Sequence, residues 1–287
     1  MNTYRLGLTL TTLSAIAWST AGYFTTLIGL DNWSLLLWRG IIGALGLLAF
    51  MLITRGPQTL TDFLTLGAAG WAYAVISAGG MLCFITALTL TSVAHVAVIY
   101  GAAPFLAAAI GWVMLGARPG RAVLMAAAVA LIGVVVMVLP GLGHTGGLLG
   151  DLLALGMTLS LALLMSIAKR YPNIPTLSAA TLSAALSALV ALPFAGDAAA
   201  YPPGIWLALA LFGLVNSALG LALFTLGARL LPPIETALIG ALDAPLAPVW
   251  VWLAFGIAPD IFTILGGLIV FEAVLTHILG QRQRALC

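Results

Sequence analysis

Charge is so scarce in this chain, and so confined to short breaks between long apolar runs, that no soluble fold can accommodate it. Charged residues fill 6% of the 287 positions and hydrophobic ones 63%, whereas a soluble domain carries about 25% charged side chains. Most of the surface built from such a sequence has to face lipid. The apolar runs are continuous and do not alternate with a period of two, which argues against a β-barrel. Lipid offers no partner to a free backbone N–H or C=O, so each run is predicted to be a helix.

A helix needs about 20 apolar residues to cross the hydrocarbon core. Ten stretches meet that length, at 6–29, 34–53, 66–89, 93–116, 121–140, 148–169, 175–195, 204–229, 234–256 and 260–280. Pro and Gly punctuate nearly every break, as at Arg55-Gly56-Pro57, Arg118-Pro119-Gly120 and Pro232-Pro233. The first run is too long for the apolar region of a signal peptide, and no A-x-A-like site follows it. It is read as a span. Cys83 lies inside a span and Cys287 at the end of the sequence, so the two form no disulfide framework.

The charges then orient the ten spans. Arg5, Arg55, Arg118, Arg121, Lys169, Arg170, Arg229, Arg282 and Arg284 all fall on one side, and Asp31, Asp151, Asp197 and Asp260 on the other. The positive-inside rule makes the basic side cytoplasmic and puts both termini there. Removing any one span would scatter the downstream basic loops to the wrong side.

The sequence also repeats. Ala103-Pro104-Phe105 followed by Gly111-Trp112-Val113-Met114-Leu115-Gly116 has its counterpart in Ala244-Pro245-Leu246 followed by Trp250-Val251-Trp252-Leu253-Ala254-Phe255-Gly256, about 141 residues on. This divides the chain into residues 1–143 and 144–287, with five spans each. An odd number per copy inserts the second copy upside down. The fold class expected is an all-α integral membrane protein of ten transmembrane helices in two inverted five-helix repeats, an architecture used by alternating-access transporters.

At these residues the chain resembles the EamA branch of the drug/metabolite transporter superfamily. Ser92 to Gly116 and Gly120 to Leu139 match the pattern in the first repeat, and Pro233 to Gly256 and Pro259 to Leu279 match it in the second. The Glu common after the Pro-bearing helix is Ala117 here and Ile257 in the second copy. The Trp-rich first two helices and the stretch from Ser92 to Tyr100 look most like the YddG-type aromatic amino acid exporters. The resemblance implies a secondary transporter that exports aromatic and other neutral amino acids across a bacterial inner membrane. The alternatives are export of another metabolite or drug and, from a different class, an intramembrane lipid-modifying enzyme.

Polar side chains inside spans are the candidate site, because each is expensive in lipid. Asp243, near mid-depth and followed by Pro245 and Pro248, is read as an ammonium or proton site or as a helix–helix tie. Arg39 is read either as the partner of a substrate carboxylate or as snorkelling to the outer interface. His95 and Tyr100 open the fourth span and are candidates for solute contact. Asn216 lies mid-depth in the eighth, and Trp18 and Trp38 are candidates for stacking on substrate. Trp33, Trp206, Trp250 and Trp252 read as interfacial or lipid-facing. Thr11, Ser14, Trp18, Gly22 and Thr25 form one small and polar stripe on the first helix. Glu235 reads as a helix-dipole partner or a cytoplasmic gate, and Glu272 as structural.

Gly141 to Gly146 spells G-x-G-x-x-G, but with no strand before it the match is chance. His95, His144 and His277 are too dispersed for a metal site, and no P-loop is present. No catalytic residue, metal or cofactor is therefore expected. The expected partners are the bilayer and a small-molecule substrate such as an amino acid, with no nucleic acid, and the chain is expected to act as a monomer.

Overall fold

The structure is a computed structural model that describes residues 3–141, 147–197 and 201–284, with side chains up to residue 280. The repeat boundary at 143/144, most of the Gly141–Gly146 stretch, His144, Cys287 and the side chains of Arg282 and Arg284 lie outside the described residues.

Among the described residues all regular structure is helical. The first half contains α1 (Thr3–Ser19), α2 (Ala21–Ile28), α3 (Asn32–Arg55), α4 (Gln58–Leu64), α5 (Gly67–Leu90), α6 (Val93–Gly101), α7 (Ala103–Leu115) and α8 (Arg121–Val138). The second contains α9 (Leu148–Arg170), α10 (Thr176–Ala191), α11 (Pro203–Phe212), a π-helical segment (Gly213–Gly220), α12 (Leu221–Ala228), α13 (Pro233–Gly240), α14 (Asp243–Phe255) and α15 (Ile261–Arg284). Eight helical runs among these residues are long and apolar enough to cross a membrane, and the bent pair α6–α7 makes a ninth. The first expected span is split at Thr20 into pieces of 17 and 8 residues, neither long enough by itself. Short α4, unanticipated from sequence, carries Asp62, which pairs with Arg55 at 2.8 Å.

The local chemistry explains these boundaries. Asp31 caps α3 by accepting from the N–H groups of Trp33 and Ser34, both at 2.9 Å. α7 and α14 end alike: Gly116 (φ 67°) and Gly256 (φ 70°) adopt the left-handed conformation that favours glycine and return their N–H to Trp112 and Trp252, each at 2.9 Å. The breaks before α7 and α14 also correspond. Pro104 and Pro245 have no N–H to offer the carbonyl four residues earlier, at Tyr100 and Ala241, and their rings crowd it. The chain bends by 40° between α6 and α7 and breaks at Ala241-Leu242 between α13 and α14. The disruption thus sits upstream of Pro245, while Pro248 is accommodated inside α14.

Helix pairings recur between the halves. α8 lies along α15 and α3 along α10. α5 packs on α9, as α12 packs on α1, and α5 meets α10 much as the π-helical segment meets α3. Lipid supplies no hydrophobic drive between helices, so close packing through small residues has to hold them. At the α8–α15 crossing a Cβ on Gly133 would lie 2.7 Å from the carbonyl of Gly266. Gly133→Val is therefore expected to destabilise the protein by about 1–3 kcal/mol or more, read as a lower unfolding temperature in detergent. Gly79→Ala, where no atom lies within 4 Å of the added Cβ, should leave that temperature unchanged.

Candidate functional site

Two backbone irregularities face each other inside the bundle. In the first, Ser19 and Thr20 turn their hydroxyls onto the carbonyls of Ile16 and Ala17, at 2.7 and 2.6 Å, and α1 stops there. In the second, the π-helical segment of Gly213–Gly220 widens the eighth expected span. Each irregularity leaves polar backbone groups that lipid cannot satisfy, and each is satisfied by the other. Asn216 donates from Nδ2 to the carbonyls of Ala17 and Trp18, at 3.4 and 3.3 Å. Trp18 Nε1 donates to the carbonyl of Asn216 at 3.1 Å, and Ser14 donates to that of Gly220 at 2.9 Å. Thr11, Ser14 and Trp18 of the small and polar stripe therefore face the π-helical segment and α12, where a Cβ on Gly227 would meet Thr11, whereas Gly22 and Thr25 lie on α2 beyond the break, Gly22 toward Val251 of α14 and Thr25 exposed.

Asn216 also accepts, through Oδ1, from Arg39 Nη1 at 3.2 Å. Arg39 is turned into the bundle, with its other terminal nitrogen at the sulfur of Met81 and its charge 5.7 Å from the centre of the Phe212 ring. It does not snorkel. No carboxylate among the described residues forms an ion pair with it. Trp38, the adjacent residue, meets Trp206 edge to face at 4.6 Å, and its buried indole N–H has no hydrogen-bond partner among the described residues.

Tyr100 and Asp243 come together at the two Pro-induced breaks. Tyr100 lies in the last turn of α6, Asp243 begins α14, and the phenol donates to Asp243 Oδ2 at 3.4 Å. The carboxylate sits in the first turn of α14, the end of a helix dipole that favours negative charge. Its other oxygen is buried without a hydrogen-bond partner. An apolar cluster that includes Ala103, Ala107, Phe224 and Ala237 has Trp18 packed against it, 4.9 Å from Phe224.

His95 stands apart from the other candidates. Its Nδ1 lies 3.2 Å from Asp151, which also accepts from Thr91 at 2.7 Å, so the group ties the α5–α6 junction to the start of α9. Trp250 departs from its interfacial reading, because its indole donates to Ser19 at 2.8 Å and supports the break in α1. The π-helical segment, Met81 and Phe212 were not singled out from the sequence; Gly213 and Gly220, which bracket the segment, are its only visible trace. Among the described residues no three His, Cys, Asp or Glu side chains are grouped so as to hold a metal ion. The arrangement offers a cation, a carboxylate with a free oxygen, and aromatic faces. It suits binding and release of a polar solute better than bond-making chemistry.

A family model described as the EamA-like transporter family matches the chain twice, over residues 5–139 and 148–278. No curated protein matches it. Among solved structures, one crystal structure aligns with a TM-score of 0.82 at 18% identity, covering 96% of this chain and 98% of that one. At that identity the likeness is one of fold alone.

The Trp18–Asn216 tie makes its own prediction. Asn216→Leu keeps the volume but takes from the Trp18 carbonyl and from Arg39 the partner that Asn216 gives each, at about 1–3 kcal/mol for each buried group. A clear fall in detergent unfolding temperature is expected, with a smaller one for Trp250→Phe.

Proposed function

We infer that this chain, which belongs to the EamA-like transporter family, exports aromatic and other neutral amino acids across a bacterial inner membrane. Members of this family are transporters of the drug/metabolite type, which supports transport over an enzymatic role. The solute is a matter of chemistry inside the bundle. One observation carries the amino acid reading: Arg39 and Asp243 are opposite charges on membrane helices, and neither has an oppositely charged partner among the described residues. Unpaired charges at membrane depth are costly, and a ligand that brings the missing charges offsets that cost. A zwitterion brings both. Its carboxylate goes to the Arg39 guanidinium, which is suited to bidentate pairing, and its ammonium to the free oxygen of Asp243. Trp18, Trp38 and Tyr100 supply faces for an aromatic side chain. His95 lies outside this arrangement and contributes through its tie to Asp151.

The architecture we propose for transport has ten passes, with α1 and α2 together forming the first. Five passes belong to each repeat, the second copy is inverted, and both termini are cytoplasmic. The one-sided placement of basic residues, the two family matches and the recurrence of helix pairings between the halves support it. Pro-induced breaks in both copies supply hinges for alternating access.

Proteoliposomes holding the purified chain should take up labelled phenylalanine or tryptophan by counterflow, saturably. Arg39→Gln and Asp243→Asn should each reduce that uptake by about tenfold or more, the equivalent of about 1.4 kcal/mol of lost binding. Folded wild-type protein without saturable amino acid flux would overturn the assignment.

A further inference from the structure

A second group of titratable side chains is buried at the cytoplasmic end, away from the solute site. Glu235 is the third residue of α13 and only 8% exposed. Tyr4 of α1 donates to its Oε2 at 2.7 Å. His277 of α15, 7% exposed, brings Nε2 to 3.9 Å of the same oxygen, and that nitrogen has no hydrogen-bond partner among the described residues. Lys169 of α9 acts on Glu235 electrostatically while its ammonium donates to the carbonyl of Leu230 at 3.2 Å. The other elements packed against α13 are α7, α8 and α12. α7 and α12 carry no charged residue, and Arg121, the one charge on α8, is exposed. Arg5 of α1, Arg170 of α9 and Glu272 of α15 are likewise exposed and turned away.

A carboxylate serving only the helix dipole gains as much at the surface, where it keeps its hydration. Glu235 instead gives up water and gathers an acid and two bases from three other helices, drawn from both halves of the chain. Such a cluster has two states of very different cohesion. Ionised, the carboxylate accepts from Tyr4 and attracts His277 and Lys169, which holds α1, α9, α13 and α15 together. With one proton added, both attractions vanish and Tyr4 loses a charged acceptor. α13 runs from Glu235 to the break at Ala241-Leu242, immediately before Asp243. Loosening its cytoplasmic end therefore moves the span that carries the solute-site carboxylate.

We propose that Glu235 is a proton-binding site that couples solute export to proton entry, a reading that rests on the transport function inferred above. Such coupling requires that the proton reach Glu235 from the outer side while the cytoplasmic end is shut. It leaves to the cytoplasm once that end opens, so a proton moves in as a solute moves out. In liposomes with an entrapped pH dye, an outward phenylalanine gradient should acidify the lumen of vesicles holding the wild-type chain. Glu235→Gln should keep labelled phenylalanine counterflow and lose the acidification. Counterflow without acidification in the wild type overturns the coupling and leaves transport standing, as does acidification that persists in Glu235→Gln. Absence of wild-type counterflow overturns the transport reading itself. If Glu235→Gln has no counterflow, Tyr4→Phe and His277→Gln carry the test: an altered ratio of protons to solute is expected, and an unaltered ratio overturns the proposal.

Discussion

The arrangement of this protein depends on one reciprocal interaction. α1 is interrupted at Thr20 and the eighth expected span is widened at Gly213–Gly220, and each supplies what the other lacks through Trp18 and Asn216. In water either irregularity would be solvated at little cost. In lipid an unsatisfied carbonyl or N–H costs several kcal/mol, so irregular backbone persists only where protein satisfies it. Asn216 meets that requirement and still has an oxygen left to fix Arg39. The same residue thus closes the backbone account of two helices and aims the cation of the candidate site.

Where a charge sits on its helix decides what it can do. Asp243 lies in the first turn of a helix that restarts inside the bundle just before Pro245, where Tyr100 reaches one of its oxygens and the other is buried without a hydrogen-bond partner among the described residues. Arg39 is held by neutral groups, an amide oxygen, a thioether and a ring face, none of which neutralises it. By contrast, Asp151 is occupied by Thr91 and His95, and Asp62 by Arg55, and these pairs read as ties between elements. Charges with partners tie elements together, whereas Arg39 and Asp243 sit inside the bundle with no oppositely charged partner among the described residues.

Much of this was legible in the sequence because lipid imposes it directly. The length and polarity of the apolar runs predicted eight membrane-length helices, and the bent α6–α7 pair, to within a few residues, since a helix in lipid has little freedom over where it ends. The breaks upstream of Pro104 and Pro245 fall inside runs that read as single spans, and the missing N–H of each Pro accounts for them. What could not be read is what depends on how helices rotate against one another. Nothing adjacent to Arg39 says whether it turns inward or snorkels; that is decided by Asn216, 177 positions away. His95 likewise reads as a solute contact until the fold brings Asp151 beside it. The split at Thr20 left only hydroxyls as a trace, because Ser and Thr in a helix more often point outward or bond locally without breaking it.

The central claim is that the site reads both charges of a zwitterion, and competition against labelled phenylalanine counterflow tests it most directly. Phenylalanine, phenethylamine and phenylpropionate share the ring and differ only in which charges they carry. The account predicts that phenylalanine competes at least about tenfold better than either analogue, since each analogue leaves Arg39 or Asp243 unpaired at a cost of about 1.4 kcal/mol or more. Equal competition by all three would contradict it.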